Sequence, residues 1–243
     1  DLRMSRGLGD VYKRQILKHK GIIANPNCST IIMVMALKPI YDLAKIKRVI
    51  VSTYQAVSGA GKEGIDELDA QVRDHSEGRE MTANILPSAS AEKHYPIAFN
   101  LIPQIDVFCD NLYTKEEMKM VNETKKIMED YEMRITATTI RVPVYRSHSE
   151  SVNIELEKEV DLGAMREALA KFPGVTVQDD PSKQEYPMPL YTSEKDDVYV
   201  GRLRRDESCE KSYNMWVVGD QIRKGAALNT LQIAETMIKN GWI

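Results

Sequence analysis

The stretch GIIANPNCSTIIMVMALKPIYDL, residues 21–43, is the most informative part of the sequence for the fold. Its first four residues are apolar and predict the end of a short buried strand, and the Asn-Pro-Asn that follows is typical of a turn. A largely apolar run then extends from Ser29 to Leu43, which is long enough to predict a helix. Cys28 is therefore expected at the junction, in the first turn of the helix.

Outward from this stretch, helical and strand patterns alternate along the chain. Helices are predicted at 62–75, 114–130, 161–171 and 221–240, and strands at 48–54, 134–142, 151–157, 175–178, 198–204 and 213–218. Thr114 and Glu117 have the spacing of a capping box, which marks a helix start. The segment 76–103 is rich in turn residues and predicts loops with short strands. The mixture predicts an α/β or α+β fold, in which a sheet carries helices on one face.

Composition and charge narrow the class of partner. Of the 243 residues, 42% are hydrophobic and 28% are charged, which is ordinary for a soluble globular protein. The longest apolar stretches are too short to cross a bilayer, so no membrane partner is expected. A formal net charge of −3 provides no basic field for a phosphate backbone, so no nucleic-acid partner is expected either. The expected ligand is a small molecule.

The cysteines and the N-terminal residues bear on the setting of the protein. Cys28, Cys109 and Cys209 are an odd number at wide spacings, without a C-x-x-C motif. No His/Asp/Glu cluster has ligand spacing, so a metal site is not expected. A reducing, cytoplasmic compartment is the prediction. Residues 1–15 have no clear period, and we interpret them as a non-native tail that resembles a translated adapter sequence.

Cys28 is the first candidate for chemistry. Backbone N–H groups at a helix start carry partial positive charge, which lowers the pKa of a nearby thiol and favours the nucleophilic thiolate. The alternative is a structural role, because cysteine is also a common buried apolar residue. For Cys109 and Cys209, which lack a helix start, the structural role is the prediction.

Several polar residues at predicted strand ends and on one helix are further candidates. His148 lies just past a predicted strand end, where it could exchange a proton near neutral pH or be a surface-loop histidine. Glu116 and Lys119 are spaced to share a helix face. They could bind a zwitterionic or phosphorylated ligand, or they could form a solvated surface ion pair. The guanidinium of Arg141 could bind a carboxylate through two hydrogen bonds, or it could have a structural role. The loop SGAG at 58–61 lets backbone approach a phosphate or a nicotinamide, but it lacks a complete glycine-rich motif.

Five segments in the same order resemble aspartate-semialdehyde dehydrogenase. They are GIIANPNCSTI at 21–31, STYQAVSGAG at 52–61, EEMK at 116–119, RVPVYRSHSE at 141–150 and GDQIRKGAA at 219–227. The resemblance covers the chain from about residue 16 to near its end. It implies a glyceraldehyde-3-phosphate-dehydrogenase-like catalytic and dimerisation domain with a mixed sheet at 28–218. It also implies a remnant of a Rossmann NADP-binding domain at 16–27, to which a C-terminal helix at 219–243 returns.

The resemblance implies a reaction as well. L-aspartyl-4-phosphate would be converted with NADP, reversibly and through a thioester on Cys28, to L-aspartate-4-semialdehyde. This step belongs to the biosynthesis of lysine, threonine, methionine and isoleucine. His148 would act as acid and base, and Gln55 would orient the substrate. The protein would bind its small-molecule substrate and inorganic phosphate, and it would form a homodimer or a dimer of dimers.

Binding roles follow from the same resemblance. Glu116 and Arg141 would hold the amino and carboxylate groups of the substrate. Asn27 and Lys119 would help to bind phosphate. The residues implied for contact with the nicotinamide are Ser58, Gly59 and Gln221. These pairings are chemically consistent, since a zwitterionic substrate needs one anion and one cation in its pocket.

One departure from the family pattern sets an expectation for this chain. The glycine-rich phosphate turn and a further phosphate-binding arginine, which precede the cysteine motif in the family, are not in the sequence. We expect the chain to bind NADP poorly or not at all. Two alternatives remain: an enzyme like N-acetyl-glutamyl-phosphate reductase, whose acylated substrate fits Glu116 less well, and an inert dimerisation module.

Overall fold

The structure, a computed structural model, describes residue 16, residues 20–89 and residues 91–242. The predicted non-native tail lies outside them. The strands are β1 (Ile46–Gln55), β2 (Arg134–Arg141), β3 (His148–Leu156), β4 (Val175–Val177), β5 (Val198–Arg205) and β6 (Ser212–Gly219). The helices are α1 (Cys28–Leu43), α2 (Lys62–Ser76), α3 (Lys115–Met128), α4 (Leu162–Lys171), the single turn α5 (Pro189–Thr192) and α6 (Leu228–Lys239). Tighter or wider turns lie at Val57–Ala60 (3₁₀), Pro181–Lys183 (3₁₀) and Arg223–Ala227 (π).

The six strands form one mixed sheet in the order β2-β1-β3-β6-β5-β4. The pairs β1–β2 and β4–β5 are parallel, and the other three pairs are antiparallel. The neighbouring strands β1 and β3 run in opposite directions, so the last residue of β1 and the first residue of β3 lie side by side at the same end of the sheet. These two residues are Gln55 and His148.

The main core lies between the sheet and helices α1 and α4. Along β1, Val49, Val51 and Thr53 are buried, whereas Ile50 between them is 38% exposed. This alternation is expected of a strand with one face against the core. Since α1 is buried along most of its length, its start is held rigidly above the sheet. A smaller apolar cluster around Leu68 supports the loop after β1.

Local side-chain chemistry fixes where the helices begin. The Oδ1 atom of Asn27 accepts the backbone N–H of Thr30 at 3.0 Å and caps α1. Thr114 and Glu117 form the expected capping box of α3, and the side chain of Asp161 caps α4. At the other end of the chain, Gly241 has φ +66°, a conformation that glycine adopts without strain after a helix.

Most predicted elements are confirmed, and the exceptions have physical reasons. Residues 21–24 do not form a strand: their backbone is assigned to a bend and to irregular structure, and the side chain of Ile22 is 88% exposed. The described part of 76–103 contains one isolated bridge, at Ile102, instead of short strands. The predicted helix at 221–240 begins with the π turn at Arg223–Ala227. His148 is not in a surface loop, because it begins β3 and is fully buried.

Candidate active site

The start of α1 presents Cys28 as the first helical residue, as the sequence predicts. Cys28 is half-buried and free of any disulfide. It packs against the π turn: a Cβ atom added to Gly225 would lie 2.9 Å from Cβ of Cys28. The side chain of Asn25 reinforces this contact by donating to the carbonyl of Gly225 at 3.3 Å. The thiol is thus fixed between two segments that are distant in sequence.

Glu116 is the centre of the polar contacts beside the thiol. Its Oε1 atom accepts from Asn27 Nδ2 at 2.8 Å and from Gln55 Nε2 at 3.2 Å. Its Oε2 atom lies 3.4 Å from Nζ of Lys119. Gln55 also donates to the Ser29 hydroxyl at 2.7 Å. The carboxyl group is buried, so the pair with Lys119 is not the solvated surface feature that spacing alone allowed.

Arg141 and His148 are joined through the backbone of Ala56. The guanidinium Nη1 of Arg141 donates to the Ala56 carbonyl at 2.8 Å, and the Ala56 N–H donates to Nδ1 of His148 at 3.1 Å. Because a backbone N–H can only donate, Nδ1 must be unprotonated, and the proton of the neutral imidazole sits on Nε2. That Nε2 atom is buried without a hydrogen-bond partner among the described residues, as is Nε of Arg141. Both groups are available to a ligand.

The three residues implied for nicotinamide contact lie next to this pair. Gln221 donates to the hydroxyl of Ser58 and accepts the Ser147 N–H at 2.9 Å. Gly59 faces the pair directly, since an added Cβ would lie 2.6 Å from Nη1 of Arg141 and 3.3 Å from Nε2 of His148. The ten residues predicted from the sequence therefore occupy one region: Asn27, Cys28, Gln55, Ser58, Gly59, Glu116, Lys119, Arg141, His148 and Gln221.

The predicted low pKa of Cys28 is wrong. Burial, reinforced by the negative charge of Glu116, raises the pKa of the thiol from 9.0 to about 12. Arg141 and the Ser29 N–H act in the opposite direction but are outweighed. Burial removes the water that would stabilise a thiolate, and this cost exceeds the benefit of a helix start. Cys28 is therefore a neutral thiol at physiological pH.

The other charged groups respond to the same dry environment. Burial, together with the positive charge of Arg141, holds the pKa of His148 well below its usual range, so the imidazole is neutral at physiological pH. Burial also lowers the pKa of Arg141, and Glu116 opposes this effect. A guanidinium remains charged after such a shift. The site therefore combines a fixed cation, a neutral imidazole donor and an unreactive thiol.

Four residues that contribute here were not predicted. Ala56 and Gly225 act through backbone position, which residue type does not indicate. Glu123 accepts the Asn27 N–H at 2.8 Å, and its place seven residues after Glu116 on one helix face was an available signal. Glu150, two residues after His148 and hence on the same face of β3, is fully buried with a pKa well above its usual range because of burial.

Metal sites and membrane-spanning helices are both absent from the part of the chain that the structure describes. No three His, Cys, Asp or Glu side chains there are grouped so as to hold a metal ion. Among the same residues, no helix combines the length and apolar character needed to cross a membrane.

Comparisons with known proteins agree with this geometry. Residues 37–224 match the family described as semialdehyde dehydrogenase, dimerisation domain. Aspartate-semialdehyde dehydrogenase of Aquifex aeolicus is 55% identical over 226 residues, which are 93% of this chain and 65% of that protein. The Bacillus subtilis protein of the same name is 50% identical over 231 residues, 95% of this chain and 67% of that protein.

A solved structure shares the fold over nearly the whole chain. The crystal structure of aspartate semialdehyde dehydrogenase II complexed with ASA, from Vibrio cholerae, matches with a TM-score of 0.85 and 42% identity. The match covers 98% of this chain and 67% of that one. The chain thus spans about two thirds of the length of these relatives. By the extent of the family match and the identity to its relatives, the chain belongs to the aspartate-semialdehyde dehydrogenase family and contains its dimerisation domain.

Proposed function

We propose that the chain is the catalytic part of an enzyme that interconverts L-aspartyl-4-phosphate and L-aspartate-4-semialdehyde with NADP. The observation that carries the proposal is the meeting of Cys28, Glu116, Arg141 and His148, which come from four different elements. The physiological setting would be amino-acid biosynthesis in the cytoplasm, with all three cysteines reduced. Two copies would pair through the dimerisation domain.

The charges of the site suit a zwitterionic substrate. Arg141 has a buried Nε–H without a partner among the described residues. Its Nη1 donates to the Ala56 carbonyl. Its free edge would bind the substrate carboxylate. Glu116 would give up its hydrogen bonds from the side-chain amides of Asn27 and Gln55 and accept hydrogen bonds from the substrate ammonium instead. Lys119, 44% exposed in its side chain, would meet the phosphate together with Asn27.

Binding of the ammonium would also activate the nucleophile. The negative charge of Glu116 contributes to the high pKa of Cys28, and a cation beside Glu116 would cancel that contribution. The thiol proton would pass to the phosphate group of the substrate, the sulfur would attack the acyl carbon, a thioester would form, and the protonated phosphate would leave with the bonding electrons. In the opposite direction, phosphate would split the thioester, and the sulfur would take back its proton from that phosphate.

His148 would act chiefly as a hydrogen-bond donor. Its Nε2–H points to no described partner, and the Ala56 N–H prevents Nδ1 from carrying a proton. A donor in a water-poor site stabilises negative charge as it develops on the substrate oxygen. This role differs from the acid and base role implied by the resemblance, because a neutral imidazole protonated on Nε2 cannot take the thiol proton there.

The residues around Gly59 fit a nicotinamide ring. Gly59 is exposed, and a side chain there would fill the space beside Arg141 and His148. When bound, the nicotinamide supplies or accepts the hydride. Ser58, Gly59 and Gln221 would hold its amide and one ring face near Cys28. We further propose that residues 16–27 and 219–243 belong to an NADP-binding domain, since the Leu231 and Ile238 side chains on α6 are exposed.

A chimera tests the function. The segment of the Aquifex aeolicus relative that precedes its match to this chain is joined to residue 16, and NADPH formation is followed with L-aspartate-4-semialdehyde and inorganic phosphate. The expected result is turnover that requires phosphate and is abolished by Cys28→Ser. Turnover in the Cys28→Ser variant, or none in a folded wild-type chimera that binds NADP, would disprove the proposal.

The inert dimerisation module has one observation in its favour, the high pKa of the thiol. Slow alkylation of wild-type Cys28 by iodoacetamide is expected under both readings, so a variant must separate them. Glu116→Gln removes the negative charge and should speed alkylation of Cys28 several-fold at neutral pH. An unchanged rate would favour the inert module.

A further inference from the structure

Glu123 ties the segment that carries the nucleophile to α3. It follows Glu116 by seven residues, so both carboxyl groups lie on one face of the helix with Lys119 between them. Both reach the same residue. Glu116 accepts the Asn27 side-chain N–H at 2.8 Å, and Glu123 accepts the Asn27 backbone N–H at 2.8 Å. The residue before Cys28 is therefore held at two points.

The contacts of Glu123 are directed at the start of α1 and not at its own helix. Glu123 lies in the interior of α3, far from the capping box at Thr114, so it does not cap its own helix. It borders an open cavity of about 340 Å³ lined by Lys115, Met118, Lys119, Asn122 and Glu123. Burial raises the pKa of its carboxyl, although the Asn27 N–H and the Thr30 hydroxyl act in the opposite direction. Its described hydrogen-bond partners are thus at the start of α1.

Asn27 donates hydrogen bonds to both Glu116 and Glu123, and only Glu116 has a second role in the proposed reaction. Under the proposed function, Glu116 turns from the Asn27 side chain to the substrate ammonium. At that moment the Asn27 amide loses a partner, while its Oδ1 must continue to cap α1 through the Thr30 N–H. A displacement of about 1 Å at a reacting atom can cost about 100-fold in rate. The backbone hydrogen bond to Glu123 does not compete with the substrate.

Building on the proposed function, we propose that Glu123 is a positioning residue, which keeps the backbone of Asn27 and Cys28 in place while Glu116 binds the substrate. It touches neither substrate nor thiol and acts through Asn27. The hydrogen bond, not the charge, is the essential feature. An amide oxygen at the same place can therefore replace the carboxylate.

Hydrogen exchange on the 243-residue chain tests the contact itself. Exchange of the Asn27 N–H is compared in wild type, Glu123→Ala, Glu123→Gln and the adjacent exposed control Asn122→Ala. Glu123→Ala should speed exchange about 10-fold or more, since the amide loses its hydrogen-bond acceptor. Glu123→Gln should stay within about threefold of wild type, as should the control. Equal exchange in wild type and Glu123→Ala would overturn the proposal.

Kinetics of the chimera test the consequence. Glu123→Ala should lower kcat about 10-fold with KM within about threefold, and Glu123→Gln should restore most of kcat. A Gln variant as slow as the Ala variant, or an Ala variant with unchanged kcat, would overturn the positioning role. Should Glu123→Ala fail to fold, Glu123→Asp, whose shorter side chain cannot reach Asn27, replaces it. An inactive wild-type chimera would count against the proposed function alone, because the exchange measurement still decides the role of Glu123.

Discussion

Gly225→Ala is the sharpest test of how the thiol is positioned. The new Cβ would lie 2.9 Å from Cβ of Cys28, 3.3 Å from its Cα and 3.4 Å from Cβ of Gln221. Carbon atoms in ordinary contact are about 3.5–4.0 Å apart, so the π turn and the start of α1 must separate by about 0.6–1 Å. Such a shift at a reacting atom is enough to lower kcat by about 10- to 100-fold.

Stability should change much less than rate in this variant. Overpacking costs about 1–3 kcal/mol, while replacing glycine by alanine in a helical segment returns about 1 kcal/mol. The assay is kcat of the chimera beside its thermal melting. Ala227→Gly is the matched control, because it changes helix propensity in the same turn at an exposed position. If Gly225→Ala keeps kcat within twofold of wild type, the close approach of the turn to Cys28 does not position the thiol.

Three further outcomes are expected. Gly59→Ala should abolish turnover without unfolding the chain, because its Cβ would lie 2.6 Å from Nη1 of Arg141; normal kcat and KM would contradict this. His148 should show nitrogen NMR shifts of a neutral, Nε2-protonated imidazole through pH 6–7, since burial depresses its pKa; a titration near pH 6.5 would be the contrary result. Glu150→Gln should raise the melting temperature at pH 7 and not at pH 4. Burial raises the pKa of Glu150 in the folded state, so the wild type loses stability as pH rises above the unfolded pKa near 4.3. An equal effect at both pH values would contradict it.

Much of the fold was predictable because its signals are local. The Asn-Pro-Asn turn and the apolar run after it specify the start of α1, and Thr114 with Glu117 specifies the start of α3. The failure at 21–24 is also instructive. Four apolar residues fit a strand, but a strand also needs a neighbouring strand beside it, and residue type alone does not show whether one is there.

The candidate site was predictable in its side chains and not in its backbone. The resemblance supplied ten residues that the structure gathers in one region. It could not indicate that the Ala56 peptide joins Arg141 to His148, since a backbone N–H and carbonyl are common to nearly every residue. Nor could spacing reveal Gly225, whose contact with Cys28 depends on how two segments far apart in sequence pack.

The high pKa of Cys28 shows why local reasoning about reactivity failed, and it suggests why the site is built this way. A charge at a helix start gains about 0.3–1 kcal/mol, whereas a rise of the pKa from 9.0 to about 12 corresponds to about 4 kcal/mol against the thiolate. Burial and Glu116 therefore outweigh the helix, and only the Glu116 contribution can be removed by a ligand. Under the proposed function, a substrate that brings its own ammonium to Glu116 would lower this barrier, and a water molecule or a neutral electrophile would not. The charge proposed to recognise the substrate would thus also add to the free energy that opposes the thiolate before the substrate is bound.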